Sequence, residues 1–198
     1  MSPLNETAKL SRRAEVRRAQ ILDAAAICFV EQGFHGAGMA RIAEQAGMSA
    51  GHIYHYFENK DAIIEALVDR ESELHSEKML GFHAIPRDQL LQELVERADE
   101  GVRTQTDPFQ SALNLEIIAE AQRNPLIAEK LRANDTETRL AFQQLLGEKL
   151  GLSDVEGRVE LMFTLFGGLP IRILRNPDLD REALLRYLRK VIRAVLAD

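Results

Sequence analysis

Apolar residues recur along this chain at the three- and four-residue spacing of an α-helix, and no segment alternates apolar with polar residues as a half-buried strand does. From about Arg12 to Gln32, Ile21, Leu22, Ala25, Phe29 and Val30 share one face, and Gly33 ends the helix. Two short helices follow between Gly38 and Phe57. The first carries Met39, Ile42, Ala43 and Ala46 at helical spacing. Gly47 then supplies a left-handed C-cap, Met48 is placed to plug the space between the helices, and Ser49 caps the second. In that second helix Ile53 and Phe57 share one face, while Ala50, Gly51, Tyr54 and His55 lie roughly opposite.

Asn59 opens a long fourth helix to about Leu80, and Gly81 and Pro86 mark its end. A fifth helix spans roughly Asp88 to Arg103. Asp107-Pro108 opens a sixth to Arg123, and Asn124-Pro125 a seventh to about Leu150. Ser153-Asp154-Val155-Glu156 reads as a capping box for an eighth. Asn176-Pro177 ends that one, and Asp180 starts a ninth that runs to the C-terminus. Nine helices with short connections predict an all-α protein.

The last two helices are too apolar to be covered on one side only. The eighth carries Val159, Leu161, Met162, Phe163, Leu165, Phe166, Leu169, Ile171, Ile173 and Leu174; the ninth carries Leu184, Leu185, Leu188, Val191, Ile192, Val195 and Leu196. Central burial within one chain satisfies them. So does pairing with a symmetry mate in a four-helix interface, where Gly167-Gly168 lets backbones approach closely. Pro170 should kink the eighth helix.

Of the 198 residues, 45% are hydrophobic, ordinary for a globular protein, and no run of apolar residues is long enough to span a bilayer. Met1 to Lys9 is polar and lacks the apolar core of a signal sequence, so a cytoplasmic location is expected. The single cysteine, Cys28, excludes an internal disulfide and reads as a small buried hydrophobe.

Charge changes the picture. The net charge is −6, yet residues 1–60 hold seven Lys and Arg against six Asp and Glu. Lys9, Arg12, Arg13, Arg17 and Arg18 face only Glu15, so a basic arm precedes an acidic body. Local charge, not the total, sets attraction to phosphate. Arginines clustered at a helix N-terminus oppose the macrodipole, and phosphate contact explains Arg12, Arg13, Arg17 and Arg18 there better than an idle charge run. The outer face of the second short helix is small at its N-terminal end, then hydrogen-bonding and aromatic. Such a face suits a DNA major groove, with Ala50, Gly51, His52 and His55 at base edges. Gly51 costs the helix up to ~1 kcal/mol relative to alanine, which close approach to a base pair explains. His52 and His55 lack a third ligand, so no metal is expected, and no cofactor. There is no glycine-rich phosphate loop, no Gly-x-Ser-x-Gly and no Cys-x-x-Cys; an enzyme is not expected.

The stretch Gly38 to Phe57 resembles the helix-turn-helix of the tetracycline-repressor (TetR) family of bacterial transcription regulators. The resemblance extends upstream through Arg17-Arg18-Ala19-Gln20-Ile21-Leu22-Asp23-Ala24-Ala25, Phe29 and Gly33-Phe34, and downstream through Asn59-Lys60-Asp61-Ala62-Ile63-Ile64-Glu65-Ala66-Leu67. It covers residues 14–74 in order and spacing. One departure is Ala37-Gly38, where the family often has Thr-Ser, so a side-chain cap is lost while the backbone N–H groups remain.

This resemblance implies a DNA-binding domain over 14–74 and an effector-binding and dimerisation domain over 75–198. It implies a homodimeric, ligand-responsive repressor on a near-palindromic operator, with double-stranded DNA and an unidentified small molecule as partners and no membrane. The segment Phe166 to Asp178 resembles the family's interface helix. Tyr54, Tyr56 and Lys60 match phosphate-contacting positions. An effector pocket among the middle helices draws on His75, Met79, Phe82, Phe109, Leu113, Glu116, Ile117, Glu120, Phe142, Phe163 and Phe166. Glu116 and Glu120 share one face of an apolar helix. Turned inward they would favour a cationic effector; turned outward, the orientation expected here, they are solvated acids. The rival functions are a helical enzyme or carrier that kept the fold without DNA binding, and a transcriptional activator.

Overall fold

The computed structural model describes residues 3–197, with side chains from Arg12 onward; Lys9 of the basic arm lies outside the described side chains. Among the described residues every element is helical, and each predicted helix is present. The chain divides into two compact units, Met1–Arg70 and Glu71–Asp198.

The first unit contains α1 (Pro3–Gly36), α2 (Met39–Gln45), α3 (Ala50–Tyr54) and the start of α4 (Lys60–Ala84). α1 begins well before Arg12, the start its apolar pattern suggested. Its regular course breaks at Gly33 (φ 72°, ψ 161°), in the left-handed region where a residue without Cβ is favoured. The stripe Ile21, Leu22, Ala25 and Phe29 is buried, with Cys28 fully so, and burial pushes the Cys28 thiol pKa up. α2 packs on α1 and buries Ile42 and Ala43, with Ala46 buried at its C-cap; Ile53 and Phe57, and Ile63, Ile64, Leu67 and Val68 of α4, are buried as well. Val30 and Met39, read as inward, are only half-buried.

The second unit contains α5 (Arg87–Glu96), α6 (Ala98–Gln105), α7 (Pro108–Ala121), α8 (Pro125–Gln144), a π-helical turn (Leu145–Leu150), α9 (Val155–Gly167), α10 (Leu169–Arg175) and α11 (Arg181–Leu196). Three predicted helices are divided. The fifth breaks at Arg97, where ψ opens to −8°; Leu90, Leu94 and Val95 before the break and Ala98 and Val102 after it are all buried. The seventh widens into the π turn, where the adjacent Leu145 and Leu146 are both buried, and Gly151 ends it at φ 74°. The eighth divides at Gly168. Pro170 sits in the first turn of α10, where its missing N–H removes a donor that has no partner anyway.

Helix starts follow local chemistry. Asp107 accepts from the Gln110 N–H at 2.8 Å, Asn124 from Leu126 at 3.1 Å, Asn59 from Ala62 at 2.8 Å, and Asp180 from Ala183 at 2.8 Å. The expected capping box at Ser153 does not form. α9 starts after Asp154, which takes the left-handed conformation at φ 49° and makes no side-chain cap. The Ser153 carbonyl instead accepts from Arg158 Nε at 2.9 Å.

Arg158 also donates to the carbonyls of Val195 and Ala197, so its charge sits at the C-terminal end of α11, where the helix dipole is negative. Lys149 caps the end of α4 in the same way, donating to His83 O and, at 2.6 Å, to Ile85 O. Arg181 clamps the buried Thr106 between α6 and α7, donating to its hydroxyl at 2.8 Å and its carbonyl at 3.0 Å. Among the described residues no helix is long and apolar enough to cross a membrane.

Candidate nucleic-acid interface

The turn between α2 and α3 sets the geometry. Gly47 takes φ 64°. Its N–H donates to Glu44 O at 3.0 Å, and the next N–H, of Met48, reaches back to Ala43 O at 2.9 Å. These paired bonds satisfy the last carbonyls of α2 and turn the chain sharply. Ser49 then accepts from the His52 N–H at 3.3 Å and opens α3. At the other end of α2, Gly38 takes the N-cap without a side-chain bond, and the Ile42 N–H meets its carbonyl at 3.1 Å. That is the backbone-only start left where Ala37-Gly38 replace Thr-Ser.

α3 buries Ile53 and Phe57 beyond its end, and exposes Ala50, Gly51, His52, Tyr54 and His55. Tyr56 is half-buried. Its ring stacks on His52, with centroids 5.4 Å apart and planes 19° apart, and meets His55 edge-on at 5.2 Å and 86°. A Cβ built on Gly51 meets no atom within 4 Å.

α1 supplies the arginines, all four exposed. Arg17 donates to Gln20 Oε1 at 2.8 Å, and Gln20 in turn donates to Ala46 O, at the end of α2, at 2.7 Å. Arg18 donates to Tyr56 O at 3.0 Å and lies over the Phe57 ring at 4.3 Å. Neighbouring α1 residues thus hold the C-terminal ends of both short helices. Lys60 is half-buried, donating to Phe34 O and lying over the Phe34 ring at 4.3 Å. Gln20 was not among the sequence-derived candidates. Its spacing from Arg17 is a helical neighbour's, but its reach to Ala46 leaves no trace in sequence. Among the described residues no three His, Cys, Asp or Glu side chains gather as a metal would require.

In the second unit the pocket candidates separate into groups. Met79 is buried, and Phe82, Phe142, Phe163 and Phe166 pack around the same cluster. The Phe82 and Phe142 centroids are 6.2 Å apart, and those of Phe142 and Phe163 5.9 Å. Phe166 closes on Gly101, where a Cβ would come within 2.9 Å of its ring. Leu113, Ile117 and Glu120 form the buried face of α7, which packs along α10. Glu120 is therefore inward, against the orientation expected, with Glu116 half-buried beside it. Phe109 lies at the exposed start of α7. His75 is half-buried on α4, its Nδ1 2.8 Å from Glu71 O.

Residues 21–67 match the family model for bacterial regulatory proteins of the tetR family. The chain is similar to the HTH-type transcriptional regulator UidR of Escherichia coli strain K12, with 28% identity over 193 residues, covering 96% of this chain and 84% of that protein. Among solved structures, GusR of Salmonella enterica is similar at 28% identity and a TM-score of 0.66, over 91% of this chain and 95% of that one. A TetR transcription regulator from Haloarcula marismortui shares the fold at a TM-score of 0.74 and 21% identity, over 92% of this chain and 97% of that one.

Proposed function

This chain belongs to the tetR family of bacterial regulatory proteins and is a DNA-binding transcriptional regulator; from that premise we propose that it acts as a cytoplasmic homodimer repressing transcription from a near-palindromic operator. Each subunit lays α3 in a major groove. Ala50, Gly51, His52 and His55 meet base edges, and Arg12, Arg13, Arg17 and Tyr54 meet phosphates.

The observation that carries the reading is Gly51. It stands in the first turn of α3, exposed, with open space where a Cβ would be. Among the described residues nothing crowds a Cβ there, and the helix loses stability by having a glycine. Close approach of a base pair accounts for it. Gly51→Ala is therefore expected to raise the stability of the free protein by up to ~1 kcal/mol, measured by thermal unfolding. The same change is expected to lower affinity for the selected operator about tenfold, the size of one lost base contact. Unchanged operator affinity would make Gly51 an idle surface residue.

The second unit takes the effector. The half-buried Phe82, Phe142 and Phe163, next to Met79, offer apolar surface at the end of α4. α4 also gives Ile63 and Ile64 to the core of the DNA-binding unit. A ligand that displaces Phe82 would turn α4 and disturb the spacing of the two reading heads, and by linkage the operator would weaken the ligand by the same factor. Dimerisation is supported by exposed Leu161, Ile171, Leu174, Tyr187 and Val191 on α9, α10 and α11, and by Gly167, which has open space beside it.

A further inference from the structure

We infer that Tyr56 is a positioning residue that orients the base-reading rings of His52 and His55, and that Arg18 anchors it, in place of the phosphate contacts that the sequence suggested for both. The inference rests on the assignment of those histidines to base edges.

α3 is only five residues long, and Ala50, Gly51, His52, Tyr54 and His55 on its outer face are exposed. A histidine that reads a base must nonetheless present its ring in one orientation, and that requires support from packing. Tyr56 gives that support to both. The chain stays helical past Tyr54: His55 keeps φ −69° and ψ −28°, and the Tyr56 N–H reaches Ile53 O at 2.8 Å. This places Tyr56 one turn beyond His52. Its ring covers the His52 ring nearly in parallel and presents an edge contact to His55.

The two tyrosines differ accordingly. Tyr54 is 54% exposed, as a phosphate contact would be; Tyr56 is half-buried, its ring against the histidines. Arg18 fixes the backbone beneath them. Its guanidinium holds the Tyr56 carbonyl and lies on Phe57, so its position is set by the end of α3.

The test compares affinity for a duplex that the wild-type protein selects from random-sequence DNA with affinity for unselected duplex, over a range of salt. Tyr56→Phe keeps the ring and should keep both affinities and the salt dependence. Tyr56→Leu keeps apolar bulk but loses the stacking plane. It should lose about tenfold in the selected-to-random ratio, with random-duplex affinity and salt slope unchanged. In a His52→Ala/His55→Ala background the leucine change should add nothing, because its effect runs through those rings. Two results overturn the inference. One is a Tyr56→Phe variant that weakens both duplexes alike and flattens the salt slope, which places the hydroxyl on a phosphate. The other is an undiminished effect of leucine without the histidines. Full selectivity in the double histidine variant alone would instead remove the base-reading assignment on which the inference stands.

Discussion

Tyr187→Asp combined with Val191→Asp is expected to convert the proposed dimer into a monomer of 22.3 kDa and to weaken operator binding. Tyr187 is 66% exposed and Val191 36%, one turn apart on α11, whose opposite face buries Leu188, Ile192 and Leu196. The substitutions therefore leave the core of the second unit in place. They put two carboxylates where a symmetry mate would desolvate them, and a buried unpaired charge is strongly unfavourable. Loss of the mate also removes the second reading head. Coupling two modules raises affinity by about 10²–10⁴ over one, so operator affinity should fall by that factor. Sedimentation at micromolar concentration reads the first effect and a binding titration the second. A double variant that still sediments as a dimer would move the interface elsewhere.

The second large effect lies at the helix-helix turn. Gly47→Val should destabilise the first unit by ~2 kcal/mol or more, because a β-branched residue strongly resists a positive φ. The angle there is 64°, and a Cβ meets no atom within 4 Å, so the penalty comes from the backbone and not from crowding. Gly47→Asn should be tolerated much better, since asparagine enters the left-handed region more readily. Chemical denaturation of the two variants separates the cases. Equal destabilisation would mean that side-chain bulk, not the angle, governs the position.

The contrast between Gly47 and Arg158 shows which parts of this molecule could be read from sequence. A left-handed glycine, a serine two residues later and the caps Asn59, Asp107, Asn124 and Asp180 act within one turn of themselves, and all took the predicted places. The amphipathic stripe of α1 acts at helical spacing and was equally legible. Arg158 reaches the carbonyls of Val195 and Ala197, Lys149 those of His83 and Ile85, and Gln20 that of Ala46. These bonds join residues far apart in sequence, and no local pattern announces them. The capping box at Ser153 did not form although its signal is local: Asp154 takes the left-handed conformation, Arg158 holds the Ser153 carbonyl, and the helix starts one residue later.

Within the site, the exposed face of α3 followed from the helical period, because Ile53 and Phe57 fix which side is inward. Lys60 and Arg18 were placed on phosphate by resemblance and charge; their contacts to Phe34, Tyr56 and Phe57 depend on how α1 crosses the short helices. Glu120 was ambiguous because α7 has apolar residues nearly all round. Ile118, on the other side, is 43% exposed, and only the packing of α7 on α10 settles which side is covered.

If α3 reads DNA sequence as one of two symmetric heads, sequencing the genomic fragments retained by the purified protein will reveal it. The expected result is enrichment of a near-palindromic site whose half-sites lie about one helical turn, roughly 10 base pairs, apart or at a multiple of it. Recovery of fragments in proportion to the input, with no shared site, would contradict it.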